Sequence, residues 1–378
     1  MKYIINKPNL SNLELKYVSD SLKSTWLSSN GKNTKIFEEK FSKFLNIKFS
    51  LAVQSGTAAL HLAMVALGVK NNDCVIVPNY TCSSNISSVS QCSALSILVD
   101  VEPDTFGLDF ELVKKAILKY RPKALQLVHV YGFPARDTLK IIKFCRIKKV
   151  KIIEDISESL GAEINNRKVG TFGDICVTSV RSEKMIGVGE GGLISVNKKN
   201  IFEKITMIAS RAAIYRTKRD PYWKKYYVCR EGYNYLMPHL LGSVGRAQIE
   251  RFKKKLLKDK IKVGILYRKH FKLKNTEIAQ KNLKNTKPVY WLNSIFFKTL
   301  SKEKIRTIGE KLMLSGFEVR SGFWPLNKLK NFKSIYITKN NISEKIFNKL
   351  LVLPSSYDLK KKDIIIILNK IKKILTNA

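Results

Sequence analysis

The feature that most constrains the fold is a regular alternation of short apolar runs with helix-like stretches between about residues 50 and 200. The runs are rich in Val and Ile, which is typical of strands buried on both faces of a sheet. The predicted strands are Cys74–Pro78, Leu95–Asp100, Ala124–Val130, Lys151–Ile156, Ile175–Val180 and Gly191–Val196. The predicted helices between them include Thr57–Leu67, Phe110–Tyr120 and Asp137–Lys149. This order predicts an α/β fold with a mainly parallel central sheet flanked by helices.

The pattern changes after about residue 245. A long charged helical region runs from Gly245 to about Leu273, short strands and helices follow, and an amphipathic helix over Lys361–Leu375 closes the chain. A chain of 378 residues is long enough for two hydrophobic cores. We therefore predict a large α/β domain over residues 1–245, which includes an N-terminal helical segment, and a smaller α+β domain over residues 246–378.

The chain is strongly basic, with 69 Lys and Arg against 30 Asp and Glu and a net charge of +39. Such a charge attracts phosphate, so a nucleic-acid-binding protein is one alternative. However, the basic residues are spread over many segments, such as 253–255 and 360–362, and no RNA-binding motif, zinc finger or basic zipper accompanies them. We favour a solvated lysine-rich surface that also attracts an anionic substrate, and we expect no nucleic-acid partner.

Membrane and metal-binding features are missing from the sequence. No apolar run approaches the ~18 residues of a membrane span, and the N-terminus lacks the apolar core of a signal peptide. The six cysteines form no C-x-x-C pair, and the four histidines are scattered. We predict a cytoplasmic protein with reduced cysteines, no membrane partner and no metal.

Three segments contain residues suited to chemistry, and the first is Ser55-Gly56-Thr57. This tripeptide precedes an Ala- and Leu-rich helix, and the free N–H groups of a helix N-terminus favour phosphate binding. The alternative is an ordinary helix cap.

The second segment places Glu154 and Asp155 at the carboxyl end of a predicted strand. Open α/β sheets bind ligands at this end of their strands, so an acid here is able to hold a cationic group. The alternative is an acid that caps a loop or helix.

The third segment has a strand that ends near Ser179, then Lys184, then Gly189-Glu190-Gly191-Gly192. A lysine shielded from water in a cleft is a usable nucleophile, whereas a surface lysine is not. Any one lysine of so many is more often a surface residue. The ordered set of phosphate site, strand-end acid, serine, lysine and glycine-rich turn favours a functional site.

These segments together resemble the DegT/StrS-type sugar aminotransferases, which share the fold-type-I architecture of pyridoxal-phosphate (PLP) enzymes. The resemblance runs essentially end to end, and its segments occur in the same order. They are residues 26–31, 37–41, 55–57, 128–132, 154–155, 184, 232–235, 245–251 and 353–356. Residues 99–109 and 323–326 look closest to the perosamine-synthase-like branch.

The resemblance implies a cofactor, pyridoxal 5'-phosphate, and roles for residues around it. Lys184 would form the Schiff base with the cofactor and then act as a general acid and base. Asp155 would keep the pyridine nitrogen protonated, which makes the ring an electron sink. Gly56, Thr57 and Ser179 would bind the cofactor phosphate.

The resemblance also implies a homodimer with active sites at the interface, because Asn234 would reach the phosphate of the partner subunit. It places Cys82 and Glu158 near the cofactor ring. Trp26, His129 and Arg320 would contact the substrate, and the guanidinium of Arg320 suits a diphosphate.

Three positions depart from the family pattern. Cys82 stands where an aromatic residue often stacks on the cofactor, and Glu158 stands where glutamine is common. Leu236-Met237-Pro238-His239 replaces the more usual Arg-Met-Thr-Asn. The departures at Cys82 and Leu236 leave open a catalytically silent protein of the same fold that binds sugar nucleotides or regulates.

The lysine at position 184 distinguishes two reactions within the family, because related 3-dehydratases have histidine there. Lys184 therefore predicts transamination from L-glutamate to a keto-sugar nucleotide, as in surface polysaccharide (O-antigen) synthesis. The perosamine-synthase-like segments favour a 4-keto-6-deoxy sugar such as GDP-4-keto-6-deoxymannose. A 3-keto-sugar aminotransferase remains an alternative.

Overall fold

The computed structural model of the protein describes residues 1–213 and 227–376. Its strands are β1 Phe49–Val53, β2 Cys74–Pro78, β3 Leu95–Val99, β4 Ala124–Val128, β5 Lys151–Asp155, β6 Glu163–Ile164, β7 Arg167–Lys168, β8 Ile175–Ser179, β9 Gly192–Val196, β10 Thr276–Ile278, β11 Thr286–Lys287, β12 Asn293–Phe297, β13 Arg320–Ser321, β14 Ser334–Ile337 and β15 Leu350–Leu353. Each of the six predicted strands is present, and its ends differ from the prediction by no more than two residues.

The helices surround these strands and follow the predicted stretches closely. They are α1 Asn12–Lys23, α2 Lys32–Leu45, α3 Gly56–Ala66, α4 Ser83–Gln91, α5 Phe110–Tyr120, α6 Thr138–Ile147, α7 Lys199–Ala209, α8 His239–Arg251, α9 Leu257–His270, α10 Lys302–Leu314, α11 Ile342–Lys349 and α12 Lys361–Thr376. Within the described ranges, no helix is both long enough and apolar enough to cross a bilayer.

Eight strands form the central sheet in the order β1-β9-β8-β5-β4-β2-β3-β14. Within this sheet β9 runs antiparallel to both of its neighbours, and the other neighbouring strands are parallel. This arrangement confirms the predicted α/β fold with a mainly parallel sheet. Sequence reasoning missed β1 and β14. The side chains of β14 are only half-buried, so it lacks the continuous apolar run of a central strand.

Both faces of the sheet are covered, because successive side chains of a strand point to opposite faces. Ile152 of β5 packs into an apolar cluster with Leu112 of α5 and Ile141 of α6. Its neighbour Ile153 packs into a second cluster with Leu62 of α3. Burying each such side chain contributes roughly 1.5–3 kcal/mol, so the two layers of helices hold the strand ends in fixed positions.

A smaller antiparallel sheet, in the order β10-β12-β15-β13, lies entirely in the C-terminal part of the chain. Residues of α9, α10 and α12 form an apolar cluster with it. The N-terminal residue Tyr3 joins this cluster and stacks on Phe317. The proposed domain boundary after residue 245 falls inside α8, and β14 crosses to the central sheet.

Candidate active site

A cavity of about 700 Å³ opens at the carboxyl ends of the central parallel strands, where open α/β sheets bind ligands. Its walls come from both the central sheet and the smaller sheet. Eight of the eleven predicted site residues line it, namely Gly56, Thr57, Cys82, Asp155, Glu158, Ser179, Lys184 and Arg320. The fold therefore brings together residues that are up to 264 positions apart (Gly56 and Arg320).

Gly56, Thr57 and Ser179, the residues of the predicted phosphate site, lie together at the wall of the cavity. Gly192 at the start of β9 pairs with Val53 at the end of β1 and with Ser179 at the end of β8, so the three strands meet there. A Cβ atom at Gly56 would lie 2.8 Å from the Cβ of Ser179, which shows how closely the two segments approach. The first turn of α3 adds backbone N–H groups that have no helical acceptor.

Asp155 ends β5, and neighbouring donors hold its carboxylate. Oδ1 accepts a hydrogen bond from the backbone N–H of Ser157 (2.9 Å), and Oδ2 accepts one from Nδ2 of Asn85 (3.1 Å). The Oγ of Ser157 in turn accepts the backbone N–H of Ser179 (2.8 Å). The carboxylate is buried and oriented, and each oxygen keeps a second acceptor position.

Lys184 lies in the turn after β8, and its side chain is largely shielded from solvent. Its Nζ lies 3.3 Å from Oε1 of Glu158 and 3.9 Å from the ring centroid of Trp291. The side chain of Lys184 is 11% exposed and that of Glu158 is 5% exposed. The amine is thus held between a carboxyl group and the face of an indole ring, which attracts a cation.

Glu158 is buried next to Lys184, and its second oxygen accepts the backbone N–H of Tyr131 (2.9 Å). Burial raises the pKa of Glu158 above its usual value, Lys184 and the Tyr131 N–H oppose the shift, and Asp155 adds to it. A carboxyl group whose pKa is raised in this way holds a proton more readily than a surface glutamate.

Arg320 lies in β13 at the outer edge of the cavity and is already engaged by two carboxylates. Its Nη1 donates to Oε2 of Glu183 (2.9 Å), and its Nε and Nη2 donate to Oε1 of Glu318 (3.2 and 2.9 Å). Although burial acts in the opposite direction, the hydrogen bond from Arg320 lowers the pKa of Glu183. A guanidinium has five N–H donors, so Arg320 keeps donors for a further anion.

His129 does not line the cavity, contrary to the expectation that it contacts the substrate. Its side chain is fully buried; Nδ1 accepts the backbone N–H of Ala135 (2.9 Å) and Nε2 lies 3.1 Å from Glu154. Glu154 also accepts backbone N–H groups of residues 170, 172 and 173. Because both ring nitrogens are occupied by protein groups, His129 supports the loop behind the site.

Trp26 and Asn234 also lie outside this cavity. Trp26 is 55% exposed and lines a separate cleft with Arg246, and Asn234 is exposed.

His239, one of the departures from the family pattern, joins residues 26–33 to α8. Its Nδ1 lies 2.7 Å from the carbonyl oxygen of Trp26, and its Nε2 accepts the backbone N–H of Asn33 (3.2 Å).

Asn85 and Trp291 are among the cavity-lining residues that the sequence did not identify, and both contact predicted site residues. Asn85 had a usable signal, because it lies in the first turn of the helix that follows a predicted strand. Trp291 had none, because it lies in an irregular segment more than 100 residues after Lys184. Cys82, which the sequence did identify, lies in the wall with its Sγ 3.4 Å from Oγ of Ser84.

Comparison with known proteins gives a consistent result. The sequence model of the DegT/DnrJ/EryC1/StrS aminotransferase family matches residues 8–372. GDP-perosamine synthase of Escherichia coli O157:H7 is 30% identical over 381 residues, which is 100% of each chain. GDP-perosamine synthase of Vibrio cholerae is 33% identical over 88% of this chain and 87% of its own. The fold also matches a solved GDP-4-keto-6-deoxymannose-3-dehydratase with a trapped PLP-glutamate geminal diamine, with a TM-score of 0.90 and 22% identity over 98% of this chain and 100% of that one.

Proposed function

The chain belongs to the DegT/DnrJ/EryC1/StrS aminotransferase family, and we propose that it transfers the amino group of L-glutamate to the C-4 keto group of a GDP-linked 4-keto-6-deoxy sugar. Family membership confirms the predicted enzyme class, a PLP-dependent nucleotide-sugar aminotransferase. GDP-4-keto-6-deoxymannose is the expected substrate, because the two GDP-perosamine synthases are similar over most of their length. The observation that carries the proposal is the Lys184 amine, held in one cavity with Asp155 and the phosphate site.

The residues of the cavity fit the cofactor. The predicted phosphate site offers helix N–H groups and the hydroxyls of Thr57 and Ser179 to a phosphate, and the absence of a side chain at Gly56 lets the helix N-terminus approach Ser179 closely. Asp155 offers a buried carboxylate to a pyridinium N–H, and Lys184 offers a shielded amine. An anion site, an acid and an amine in a cavity of about 700 Å³ are the groups that PLP needs.

When bound, the cofactor carries the amino group and withdraws electrons from the reacting carbon. We assign Asp155 to holding the proton of the pyridinium nitrogen, because its carboxylate is fixed by Asn85 and Ser157 and retains free lone pairs. We assign Lys184 to moving the proton at the reacting carbon. Glu158 lies next to that amine and, with its raised pKa, is placed to share a proton with it.

The identity of residue 184 supports transamination. The primary amine of Lys184 would supply a nucleophile for the carbonyl carbon of the cofactor and a base for the proton at the reacting carbon, whereas the histidine of the related dehydratases would supply only a base. The side chain of Lys184 lies between Glu158 and Trp291, which shield most of it from solvent. We therefore place the chain among the aminotransferases of its family.

Substrate and partner contacts complete the proposal. Arg320, at the mouth of the cavity, is assigned to the diphosphate of the nucleotide sugar, with Glu183 and Glu318 orienting its guanidinium. The exposed Asn234 and Trp26 are assigned to the partner subunit's active site in a homodimer, which would explain why neither lines the cavity of its own chain.

The test combines a spectrum with a substrate panel. The protein loaded with PLP should show a visible absorption band that disappears with L-glutamate, and Lys184→Ala should abolish the change. The exposed Lys253→Ala serves as the matched control. The amine-loaded enzyme is then offered 4-keto and 3-keto sugars linked to GDP or to other nucleotides, and the products are identified by mass spectrometry.

Each outcome decides a separate part of the proposal. A glutamate-dependent change that persists in Lys184→Ala contradicts the assignment of the lysine. Binding of PLP without any response to glutamate favours the silent sugar-nucleotide-binding alternative. Preferential amination of a 3-keto sugar, or of a sugar on another nucleotide, overturns the proposed substrate but not the reaction.

A further inference from the structure

Lys260 of α9 is the only lysine with a buried side chain in the part of the chain that the structure describes, and its exposure is 0%. Among the described residues, Lys260 is also the only basic residue of Lys or Arg type that is buried. Burying an ammonium group is costly unless hydrogen bonds replace those of water. A specific set of partners is therefore needed to hold Lys260 in place.

The partners of Lys260 are neutral acceptors from two distant segments. Its Nζ donates to Oδ1 of Asn6 (2.8 Å) and to the carbonyl oxygen of Ser355, and it lies 4.8 Å from the ring centroid of Tyr357. Burial lowers the pKa of Lys260 well below its usual value, and the charge of Asp358 opposes the shift. Lys260 thus joins α9 to the N-terminal segment and to the turn after β15.

The same partners bind the main chain on both sides of Lys184. Nδ2 of Asn6 donates to the carbonyl oxygen of Glu183 (2.6 Å), and the hydroxyl of Tyr357 donates to the carbonyl oxygen of Met185 (2.7 Å). These carbonyls belong to the residues immediately before and after Lys184. One buried amine is therefore in contact with two side chains, Asn6 and Tyr357, that bind the main chain on opposite sides of Lys184.

A second contact from α9 stabilises the same turn after β15. The hydroxyl of Tyr267, two helical turns after Lys260, donates to the carbonyl oxygen of Pro354 (2.7 Å). Two residues on one face of α9 therefore hold the segment 354–357, which contains Tyr357. Helix α9, which packs against the smaller sheet, is in this way connected to the turn that contains Lys184.

We propose that Lys260 is a positioning residue for Lys184, acting through Asn6 and Tyr357 to fix the carbonyls of Glu183 and Met185. This inference rests on the proposed function, because it takes Lys184 as the group that reacts. Lys260 lies behind the turn and itself contacts neither the cavity nor its ligands. Removal of the Lys260 amine should make the turn that contains Lys184 more mobile. It should leave the positions of Asp155 and of the predicted phosphate site unchanged.

The test is Lys260→Met, which keeps an unbranched apolar side chain of similar length but makes no hydrogen bond. In the cofactor-free protein, hydrogen–deuterium exchange of a peptide covering residues 181–187 should become about 5-fold faster or more, because local opening becomes easier. In the holoenzyme, kcat should fall about 10-fold or more through misplacement of the amine. KM for both substrates should change less than about 2-fold, because the ligand contacts remain.

The matched control is Lys262→Met, the same change at an exposed position of the same helix, which should leave exchange and kcat at wild-type values.

A milder variant, Tyr357→Phe, keeps the aromatic ring next to Lys260 and removes only the hydrogen bond to the carbonyl of Met185. It should lower kcat about 3-fold. In the double variant with Lys260→Met, the two losses should combine to less than their product, because both act through one contact network. If Lys260→Met does not fold, Tyr357→Phe decides the question by the same two measurements.

Wild-type exchange at residues 181–187 in Lys260→Met, or a kcat equal to that of Lys262→Met, overturns the inference. A uniform increase of exchange across the central sheet also overturns it, because that result indicates a general loss of stability. These failures differ from a failure of the proposed function, in which Lys184→Ala itself would retain the response to L-glutamate.

Discussion

The two halves of the cavity wall are built in different ways. The strand-end half consists of residues at or just after the ends of central strands, namely Gly56, Thr57, Asp155 and Ser179. The lysine-loop half consists of Glu183, Lys184 and Trp291, which line the cavity. Behind the wall, Asn6 and Tyr357 bind the carbonyl groups of residues 183 and 185, and Trp291 also binds that of residue 183. The residues of the first half lie between positions 56 and 179. The second half depends on side chains from position 6, near the N-terminus, and from positions 291 and 357 in the C-terminal part of the chain.

This difference shows that the two halves depend on different forces. In the strand-end half, the register of the sheet and the close approach of backbone segments decide the geometry. An added methyl group should therefore distort this part of the cavity more than the loss of one hydrogen bond would. In the lysine-loop half, single side-chain hydrogen bonds hold a turn, so conservative substitutions should have graded effects. The four predictions that follow test this contrast, from the largest expected effect to the smallest.

Asp155→Asn should have the largest effect, because it removes the charge from the strand-end half without changing its shape. We expect kcat to fall about 10²–10³-fold, which corresponds to about 3–4 kcal/mol, the usual loss for one electrostatic group in an active site. The apparent unfolding temperature of the cofactor-free protein should stay close to that of the wild type. A large loss of stability with nearly normal kcat would show that Asp155 is structural.

Glu38 of α2 tests how the strand-end half is supported, because its Oε1 accepts the backbone N–H of Ala52 in β1 (2.7 Å). Burial raises the pKa of Glu38 from 4.5 to about 7. Between these values the folded state holds a proton that the unfolded state releases, so the free energy of unfolding falls as pH rises through this window. The loss should reach up to about 3 kcal/mol and level off above pH of about 7.

Urea unfolding of wild type and Glu38→Gln at several pH values measures this contribution. The glutamine side chain does not titrate, so the variant should lack this part of the decline, and the difference between the two proteins should grow with pH. Parallel curves for the two proteins across the window would mean that Glu38 titrates at its ordinary value.

Gly192→Ala tests the role of close backbone approach in the phosphate site. The new Cβ would lie 2.5 Å from the carbonyl oxygen of Ser55 and 2.8 Å from the backbone nitrogen of Gly56. We expect the affinity for PLP to fall about 30-fold, or about 2 kcal/mol, as for other overpacked sites. Gly309→Ala in α10 is the control, because its nearest neighbour would be 3.6 Å away. Equal PLP affinity in both variants would contradict the importance of this contact.

Trp291→Phe should have the smallest effect and tests the lysine-loop half. The indole Nε1 donates to the carbonyl oxygen of Glu183 (2.7 Å), and phenylalanine keeps an aromatic ring there but loses this donor. Asn6 still binds the same carbonyl, so we expect kcat to fall only about 5-fold, or about 1 kcal/mol, with KM unchanged. A loss as large as that of Asp155→Asn would show that the indole ring acts on the Lys184 amine itself and not only on the carbonyl of Glu183, and that the two halves do not differ as described.

Much of the fold was predictable, because apolar periodicity and strand ends are local properties of the sequence. The six central strands and their flanking helices follow directly from such patterns, whereas the edge strand β14 does not, because half-buried edge strands carry a weak pattern. In the site, Lys184, Asp155 and Gly56, which the motif order selected, all line one cavity. His129 lies behind the cavity wall, because the side to which a residue faces after a strand end depends on the loop that packs against it.

By itself, the sequence determined that the chain forms a mainly parallel α/β sheet, and it placed a helix N-terminus, an acid and a lysine near the strand ends. These features depend on the spacing of residues within short segments. Hydrophobic burial and helix termini then fix where each strand ends and each helix begins. Only the tertiary structure decided what surrounds the lysine. Trp291, Asn6 and Lys260 come from distant segments with no common motif. Trp291 and Asn6 bind the same carbonyl of Glu183, and Lys260 binds Asn6, so these contacts depend on how the segments pack and not on local spacing.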